Sequence, residues 1–180
     1  MKKISETILH KGNWLILKKA EFEHNNNKIE WEFVERKHNK HAVVIIAKFK
    51  NTNKYILIKE YRIAIDKYVI AFPAGLVEND NIAENAEREL FEETGYTGKV
   101  TKISPILYTN PAITKNTFQV AYMEVDDKDI ININPKQHLE AAEDISVLIV
   151  DTNEIQDFLI AQQKENTVIG SSVWYFFEKF

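Results

Sequence analysis

The sequence contains no cysteine. This absence excludes disulfide bonds, thiol catalysis and metal sites built from thiolates. The five histidines show no metal-ligand spacing such as H-E-x-x-H. The formal net charge of −4 argues against nucleic acid as a partner and against an anionic membrane as a binding surface. Any reactive site in this protein therefore has to be built without thiolate chemistry.

Long apolar segments are also missing. No stretch approaches the roughly 18 consecutive apolar residues of a membrane-spanning helix. The segment "MKKISETILHKGNW" has two lysines but no long apolar run behind them, so we expect no signal peptide and a cytoplasmic protein. We find no internal repeat, low-complexity linker or obvious domain break. A chain of 180 residues with 44% hydrophobic content fits one domain, or one domain with a small appended sheet.

The first part of the chain is rich in strand-like segments. "WLILKKAEF" and "KIEWEFVER" flank the asparagine-rich "EHNNN", which predicts a β-hairpin. The apolar run "AVVIIAKF" is typical of a strand buried on both faces, and "NTNK" turns the chain into a returning strand, "YILIKEYR". "KYVIAFPAG" predicts one further strand that ends at Pro73 and Gly75.

The second part of the chain alternates between strands and helices. "KVTKISPILY", "TFQVAYMEV" and "ISVLIV" are strand-like. "DTNEIQDFLIAQQ" predicts an amphipathic helix with Asp151 or Thr152 as its cap. For the last segment, "SSVWYFFEKF", we favour a helix over a strand. The order of elements predicts an α/β protein: a mixed sheet with helices on its faces, preceded by a small antiparallel sheet.

One strong helix, roughly from Asn81 to Thr94 and ending at Gly95, carries an unusual set of acids. At about 100° per residue, its apolar stripe consists of Ile82, Ala83, Ala86 and Leu90. Glu93 falls inside this stripe and Glu89 on its edge, whereas Glu84 and Glu87 point away from it.

A solvated helix face with i,i+4 ion pairs would explain Glu84 and Glu87, but not Glu93. The candidate pairs of such a face are Glu84–Arg88 and Arg88–Glu92. A carboxylate on a buried face costs roughly several kcal/mol unless its charge is compensated. Carboxylate oxygens are natural ligands of Mg²⁺ and Mn²⁺. The pattern therefore indicates a metal site.

The segment "RELFEETGY", Arg88 to Tyr96, resembles the second half of the Nudix box, G-x5-E-x7-R-E-U-x-E-E-x-G-U, where U is a bulky apolar residue. The first half departs from this pattern. Gly75 lies one residue too close to Arg88, and Asp80 or Asn81 takes the place of the first glutamate. With "FPAGL" upstream, the sequence is similar to the Nudix hydrolase family.

The resemblance extends beyond the box. "KEYRIAIDKYVIAFPAGLVE" is similar to ADP-ribose and nucleoside diphosphate sugar pyrophosphatases, although Ala71 stands where a glutamate is common. Pro111 falls about where these enzymes have a characteristic proline. "KGNWLIL" and "IEWEFVER" resemble the N-terminal sheet that this subgroup exchanges between the subunits of a homodimer.

The resemblance implies two regions. Residues 1–40 would form an N-terminal antiparallel sheet for dimerisation and base binding. Residues 41–180 would form a Nudix-type α/β/α sandwich.

The resemblance also implies a metal and catalytic site. The carbonyl of Ala74 and the carboxylates of Glu89, Glu92 and Glu93 would hold one to three Mg²⁺ ions, or Mn²⁺. Arg88 would orient the box glutamates. The proton acceptor would be Glu143 in "EAAEDISVLIV", or a box glutamate such as Glu92. Glu140 is the alternate for Glu143, and a solvated loop acid is the simpler explanation of Glu143.

For the substrate, the resemblance implies an aromatic pair and two arginines. Trp14 and Trp31 would sandwich the base, while Arg36 and Arg62 would contact the diphosphate or the terminal ribose. The simpler alternatives are core packing for both tryptophans and a surface ion pair for Arg62, and Pro111 could simply shape a turn.

The expected activity is Mg²⁺-dependent hydrolysis of ADP-ribose or a nucleoside diphosphate sugar to a nucleoside monophosphate and a sugar phosphate. Two alternatives remain: a non-catalytic Nudix-fold module that senses nucleotides, and a hydrolase of dinucleoside polyphosphates or coenzyme A. Ala71 and the loop "NPAITKN" leave the base and the sugar open.

Overall fold

The computed structural model describes residues 1–38 and 41–178, in which the chain forms a small sheet and a large one. The small antiparallel sheet has the order β1-β2-β3 and consists of β1 (Lys2–Lys11), β2 (Leu15–His24) and β3 (Asn27–Arg36). The predicted hairpin is confirmed as β2–β3. Its turn residues Asn25 and Asn26 have φ angles of 49° and 61°, which asparagine tolerates. Strand β1 was not predicted.

The large sheet contains nine strands within the described residues. They are β4 (His41–Phe49), β5 (Lys54–Arg62), β6 (Lys67–Ala71), β7 (Ala74–Leu76), β8 (Lys99–Ile103), β9 (Leu107–Tyr108), β10 (Thr117–Val125), β11 (Ile145–Asp151) and β12 (Val168–Ile169). The main order is β12-β6-β5-β4-β10-β8, with β11 on β5, β7 on β4 and β9 on β10. Pairs β4–β10 and β6–β12 are parallel and the others antiparallel, so the predicted mixed sheet is confirmed.

The helices lie on both faces of the large sheet. They are α1 (Ile82–Thr94), the short α2 (Ile130–Ile133), α3 (Ile155–Lys164) and α4 (Ser171–Phe177). From β4, Val43 and Ile45 pack with Leu90 of α1 in one core, while Ile46 packs with Leu159 and with residues of α4 in another. This alternation along a central strand produces the predicted α/β/α sandwich.

Helix α1 has the predicted ends. The Asn81 side chain accepts a hydrogen bond from the Glu84 backbone N–H, and Gly95 follows the last turn with φ of 76°. The predicted cap of α3 is wrong, because Asp151 still pairs with β5 as the last residue of β11. That helix begins at Ile155, after Glu154 and without a side-chain cap.

The closing helix is confirmed in α4, and residues 179 and 180 of the predicted segment lie outside the described residues. The same is true of residues 39 and 40 at the predicted region boundary. The division into residues 1–40 and 41–180 therefore stays a prediction.

The segment predicted as one strand, "KYVIAFPAG", forms two strands with different partners. Strand β6 pairs with β5, and after Pro73 the chain pairs with β4 as β7. Pro73 has no N–H to donate, but its carbonyl accepts a hydrogen bond from the Ile45 N–H at 2.8 Å. The crossing brings Ala74 and Gly75 beside α1 and so creates the site described below.

The small sheet is held against the loop of residues 110–116. The Val34 N–H donates to the Ile113 carbonyl at 2.8 Å, and the Trp31 indole N–H donates to the Ala112 carbonyl at 2.6 Å. The Arg36 N–H donates to the Asn116 side-chain oxygen at 3.2 Å. No helix among the described residues is long and apolar enough to cross a membrane.

Candidate active site

A cavity of about 450 Å³ opens where β5, β7, α1 and the loop before β11 meet. It is lined by Arg36, Ala42, Glu60, Arg62, Ala74, Gly75, Leu76, Glu78, Arg88, Glu89, Glu93, Glu140 and Glu143. Most residues predicted for the site lie in this wall, although they come from distant parts of the chain. The exceptions are Glu92, Trp14 and Trp31.

Glu93 is the most deeply buried acid of the cavity, with 4% of its surface exposed. Its carboxylate accepts a hydrogen bond from the Ala74 N–H at 3.0 Å. Burial raises its pKa to about 8, and the negative charges of Glu60, Glu89 and Glu143 add to this effect against the opposing Ala74 hydrogen bond. The position predicted from the helical period is thus confirmed.

The Ala74 carbonyl points away from β4. Backbone hydrogen bonds to β4 are made on both sides of Ala74. The Pro73 carbonyl accepts from the Ile45 N–H, and further along the chain the Val77 N–H donates to the His41 carbonyl. Ala74 itself stands opposite Val44, between the hydrogen-bonded positions. In an antiparallel ladder, the intervening residue directs both its N–H and its carbonyl to the other side. The N–H of Ala74 does meet Glu93 there, so its carbonyl oxygen shares the side of the carboxylates.

Gly75 makes room for Glu89. Glu89 is 9% exposed, and its carboxyl group occupies the space that a Cβ atom on Gly75 would fill. Burial raises the pKa of Glu89, while the Arg88 guanidinium opposes this shift. A glycine at this position therefore permits the close approach of the carboxylate to the backbone.

Arg88 braces the acids of α1 from the side. Its guanidinium donates to Glu89 and to Glu92, each at 2.7 Å, and to the Leu76 carbonyl at 3.4 Å. The predicted Arg88–Glu92 pair is therefore present. Glu92 is the more exposed member, with 37% of its side chain accessible, and it does not line the cavity.

The Asn85 side chain links the residues of the loop between β7 and α1, where the first half of the box is one residue shorter than in the family pattern. This residue was not predicted from the sequence. Its buried amide accepts a hydrogen bond from the Glu78 N–H at 3.0 Å. The same amide donates to the carbonyl of Asn81 at 2.8 Å and to the side chain of Asn79 at 2.9 Å. The signal was available, because Asn85 stands one turn before Glu89 on the same side of the helix.

Replacing Asn85 with alanine is expected to destabilise the protein by about 2–3 kcal/mol, because it removes a buried amide and leaves the Glu78 N–H and the Asn79 carbonyl without this partner. For a chain of this length the melting temperature should fall by about 5–10 °C. Calorimetry against the exposed control Asn134→Ala measures this. A melting temperature equal to that of the control would contradict the role of the amide.

The loop that carries Glu140 and Glu143 is fixed at both ends. Gln137 donates to the Glu93 carbonyl at the end of α1 at 2.7 Å, and the Tyr68 hydroxyl donates to Asp144 at 2.5 Å. Between these anchors the Glu140 N–H donates to the Glu143 carboxylate at 2.8 Å. Both acids line the cavity, so the choice between them stays open.

Arg62 reaches the cavity next to Glu60, an acid that the sequence reasoning did not single out. An Arg62 guanidinium nitrogen lies 2.7 Å from Glu60 Oε2, in an ion pair whose geometry is not that of a directed hydrogen bond. Burial raises the pKa of Glu60, and Arg62 opposes this shift. The signal was a single acid that follows the apolar run "YILI" in the strand-like segment "YILIKEYR".

A single chain does not bring the two tryptophans together. Trp14 is 81% exposed beside the β1–β2 turn, whereas Trp31 pairs with Ala20, six residues further along. At about 3.3 Å per residue this separates them by roughly 20 Å. Core packing therefore does not explain Trp14. A base sandwich would need indoles from two chains and stays a prediction.

The cavity matches a hard divalent cation in the chemistry of its donors. Within residues 1–38 and 41–178, no group of three or more His, Cys, Asp or Glu side chains is already arranged as a metal site. However, the carboxylates of Glu89 and Glu93 and the carbonyl of Ala74 offer oxygen ligands of the kind that Mg²⁺ and Mn²⁺ take. Burial raises the pKa of Glu93, and the group that opposes this rise is the Ala74 N–H, which carries no full charge.

Carboxylates that can hold a cation and guanidinium groups that can bind phosphate are typical of enzymes that hydrolyse phosphate anhydrides. The comparison with known proteins agrees with this class. The NUDIX domain model matches residues 38–168. The chain therefore belongs to the Nudix family and is a Nudix hydrolase, a class that generally uses divalent metal ions.

Two curated relatives and one solved structure illustrate the match. An uncharacterized Nudix hydrolase of Schizosaccharomyces pombe is 32% identical over 88% of this chain and 81% of its own length. The ADP-sugar pyrophosphatase of Mus musculus is 30% identical over 84% of this chain and 73% of its own length. A crystal structure of an "ADP compounds hydrolase" shares the fold with a TM-score of 0.65 at 16% identity, and it covers 89% of this chain and 84% of its own.

Proposed function

We propose that this Nudix hydrolase cleaves the pyrophosphate bond of ADP-ribose or another nucleoside diphosphate sugar with Mg²⁺ or Mn²⁺. The products are a nucleoside monophosphate and a sugar phosphate. The observation that carries the proposal is one cavity whose wall contains both the carboxylates of Glu89 and Glu93 and the guanidinium groups of Arg36 and Arg62. The similarity to a mouse ADP-sugar pyrophosphatase supports it, since ADP-ribose is itself an ADP-sugar.

Each side chain has a distinct task in the proposed reaction. The carbonyl of Ala74 and the carboxylates of Glu89 and Glu93 would hold the divalent metal, which would neutralise phosphate oxygens and lower the pKa of water. Arg36 and Arg62 bind and orient the diphosphate through charge-assisted hydrogen bonds.

Arg88 keeps Glu89 and Glu92 in place for these tasks, and Glu92 supports the metal carboxylates from outside the cavity wall. Glu143, with Glu140 as the alternate, accepts the proton of the water that attacks phosphorus. The bond between phosphorus and the bridging oxygen then breaks.

The base would lie between Trp14 of one subunit and Trp31 of a second copy, in a homodimer that exchanges its N-terminal sheets. The exposure of both indoles supports a role outside the core. A monomeric mass in solution, at the protein concentrations used in the activity assay, would contradict this part of the proposal.

A substrate panel tests the function. ADP-ribose, GDP-mannose, ADP-glucose, UDP-glucose, diadenosine polyphosphates and coenzyme A are incubated with the protein and Mg²⁺, and the products are identified. We expect a nucleoside monophosphate and a sugar phosphate from at least one diphosphate sugar, and none with chelator. Binding without release of monophosphate would indicate a sensor instead, and cleavage of only the last two substrate classes would reassign the specificity.

A further inference from the structure

Glu60 is an acid of the cavity wall to which the proposed reaction gives no task. Only 13% of its side chain is exposed, against 51% for its ion-pair partner Arg62. The two residues are separated by two positions on β5, so both side chains stand on the same face of the sheet. Glu60 is thus the more buried member of the ion pair, and Arg62 is the more exposed one.

Several acids of the cavity wall besides Glu60 could pair with the Arg62 guanidinium. Glu78, Glu89, Glu140 and Glu143 all line the same space. A half-exposed arginine without a fixed partner samples many rotamers, and ordering it on binding a ligand costs affinity. Arg88 is already committed to Glu89 and Glu92, so Arg62 is one of two arginines left for an anionic ligand.

We propose that Glu60 is a positioning residue for substrate binding: it holds the guanidinium of Arg62 in the cavity wall, ready for the anionic diphosphate of the substrate. The inference rests on the proposed function and deepens it. Glu60 sets the affinity for the diphosphate through Arg62 and takes no part in the chemistry or in holding the metal.

A carboxylate that replaces Glu60 can be introduced by substitution on the neighbouring strand. Ala71 of β6 pairs with Ile58 of β5, two residues before Glu60 and on the same face. Diagonal neighbours of this kind are within reach of long side chains. Ala71 is also the position at which the motif of ADP-ribose and nucleoside diphosphate sugar pyrophosphatases commonly has a glutamate.

A double-mutant cycle separates action through Arg62 from independent action. The dissociation constant of ADP-ribose is measured by calorimetry in chelator, where no turnover occurs, together with KM, kcat and Mn²⁺ affinity in its absence. Glu60→Gln should weaken ADP-ribose binding and raise KM about tenfold in the wild-type background, but less than about twofold in the Arg62→Ala background. The values of kcat and the Mn²⁺ affinity should stay within about threefold of the wild-type values.

Two further variants keep the test decisive. Glu87→Gln, on the solvated side of α1, is the matched control and should match the wild type. Glu60→Ala combined with Ala71→Glu should regain most of the affinity that Glu60→Ala alone loses. This rescue would not occur if Glu60→Ala only damaged the fold.

Independent effects of Glu60 and Arg62, or a tenfold loss of Mn²⁺ affinity in Glu60→Gln, would overturn the inference. In the second case Glu60 would be a metal ligand. The proposed function can fail on its own. This would be the case if the wild type binds ADP-ribose and the double-mutant cycle shows the expected coupling of Glu60 and Arg62, but no diphosphate sugar is hydrolysed. A wild type that binds no nucleotide of the panel would overturn both.

Discussion

Glu93→Gln is expected to reduce hydrolysis by at least about 10²–10³-fold, the range seen when one charge-stabilising group is removed from an active site. The reason is that glutamine keeps the hydrogen bond from Ala74 but offers no negative charge to a cation. The same substitution is expected to stabilise the metal-free protein at pH 8. Opposite effects on activity and stability are typical of a residue that is retained for function.

The sign of the stability effect follows from the pKa of Glu93. In the folded protein this pKa is about 8, raised from an ordinary value of 4.5. Between these values the folded state keeps a proton that the unfolded state has lost, so stability falls as the pH rises from 4.5 to 8. At about 1.4 kcal/mol per pKa unit, the penalty reaches a few kcal/mol, and glutamine does not incur it.

Thermal unfolding in chelator at pH 4.5 and pH 8 measures this effect. Wild type and Glu93→Gln should unfold at similar temperatures at the lower pH, and the variant several degrees higher at pH 8. Glu87→Gln should follow the wild type at both values. A folded Glu93→Gln protein that keeps near wild-type Mg²⁺-dependent hydrolysis would contradict the role assigned to this carboxylate.

Gly75→Ala is expected to lower kcat/KM by roughly 10²-fold, because displaced catalytic groups lose rate steeply with distance. The added Cβ atom would overlap the Glu89 carboxyl group and push it off the position where it meets Arg88. The end of a glutamate side chain can rotate away, so the fold should persist.

Gly12→Ala is the control for this substitution, since a Cβ atom there meets its nearest neighbour, the Leu15 carbonyl oxygen, at 3.1 Å. It should leave kcat/KM near the wild-type value. Equal activities of Gly75→Ala and wild type, with equal melting temperatures, would show that Glu89 does not need its present position.

The sequence predicted the acids of α1 because a long helix has a regular period, and an acid inside an apolar stripe is visible without coordinates. Glu93 and Glu89 are buried where that period places them. The hairpin of the small sheet was equally local, since asparagine pairs define the turn. These features depend on contacts between residues that are near one another in the chain.

The missed features depend on contacts across the fold. Gln137 meets the Glu93 carbonyl 44 positions away, and Tyr68 meets Asp144 76 positions away. Neither residue type signals such a contact in the sequence. The split of "KYVIAFPAG" into β6 and β7 also depends on tertiary pairing, because Pro73 ends one ladder while the next is set by β4.

The central claim is that the carboxylates of α1 form a divalent-metal centre, and calorimetric titration with Mn²⁺ tests it most directly. At pH 7, in buffers of different ionisation enthalpy, the wild type should bind Mn²⁺ and release close to one proton, because Glu93 must ionise to bind. Glu93→Gln should bind Mn²⁺ at least about tenfold more weakly and should not release that proton on binding. A wild type that binds no Mn²⁺, or a variant that binds it equally well with the same proton release, would contradict the claim.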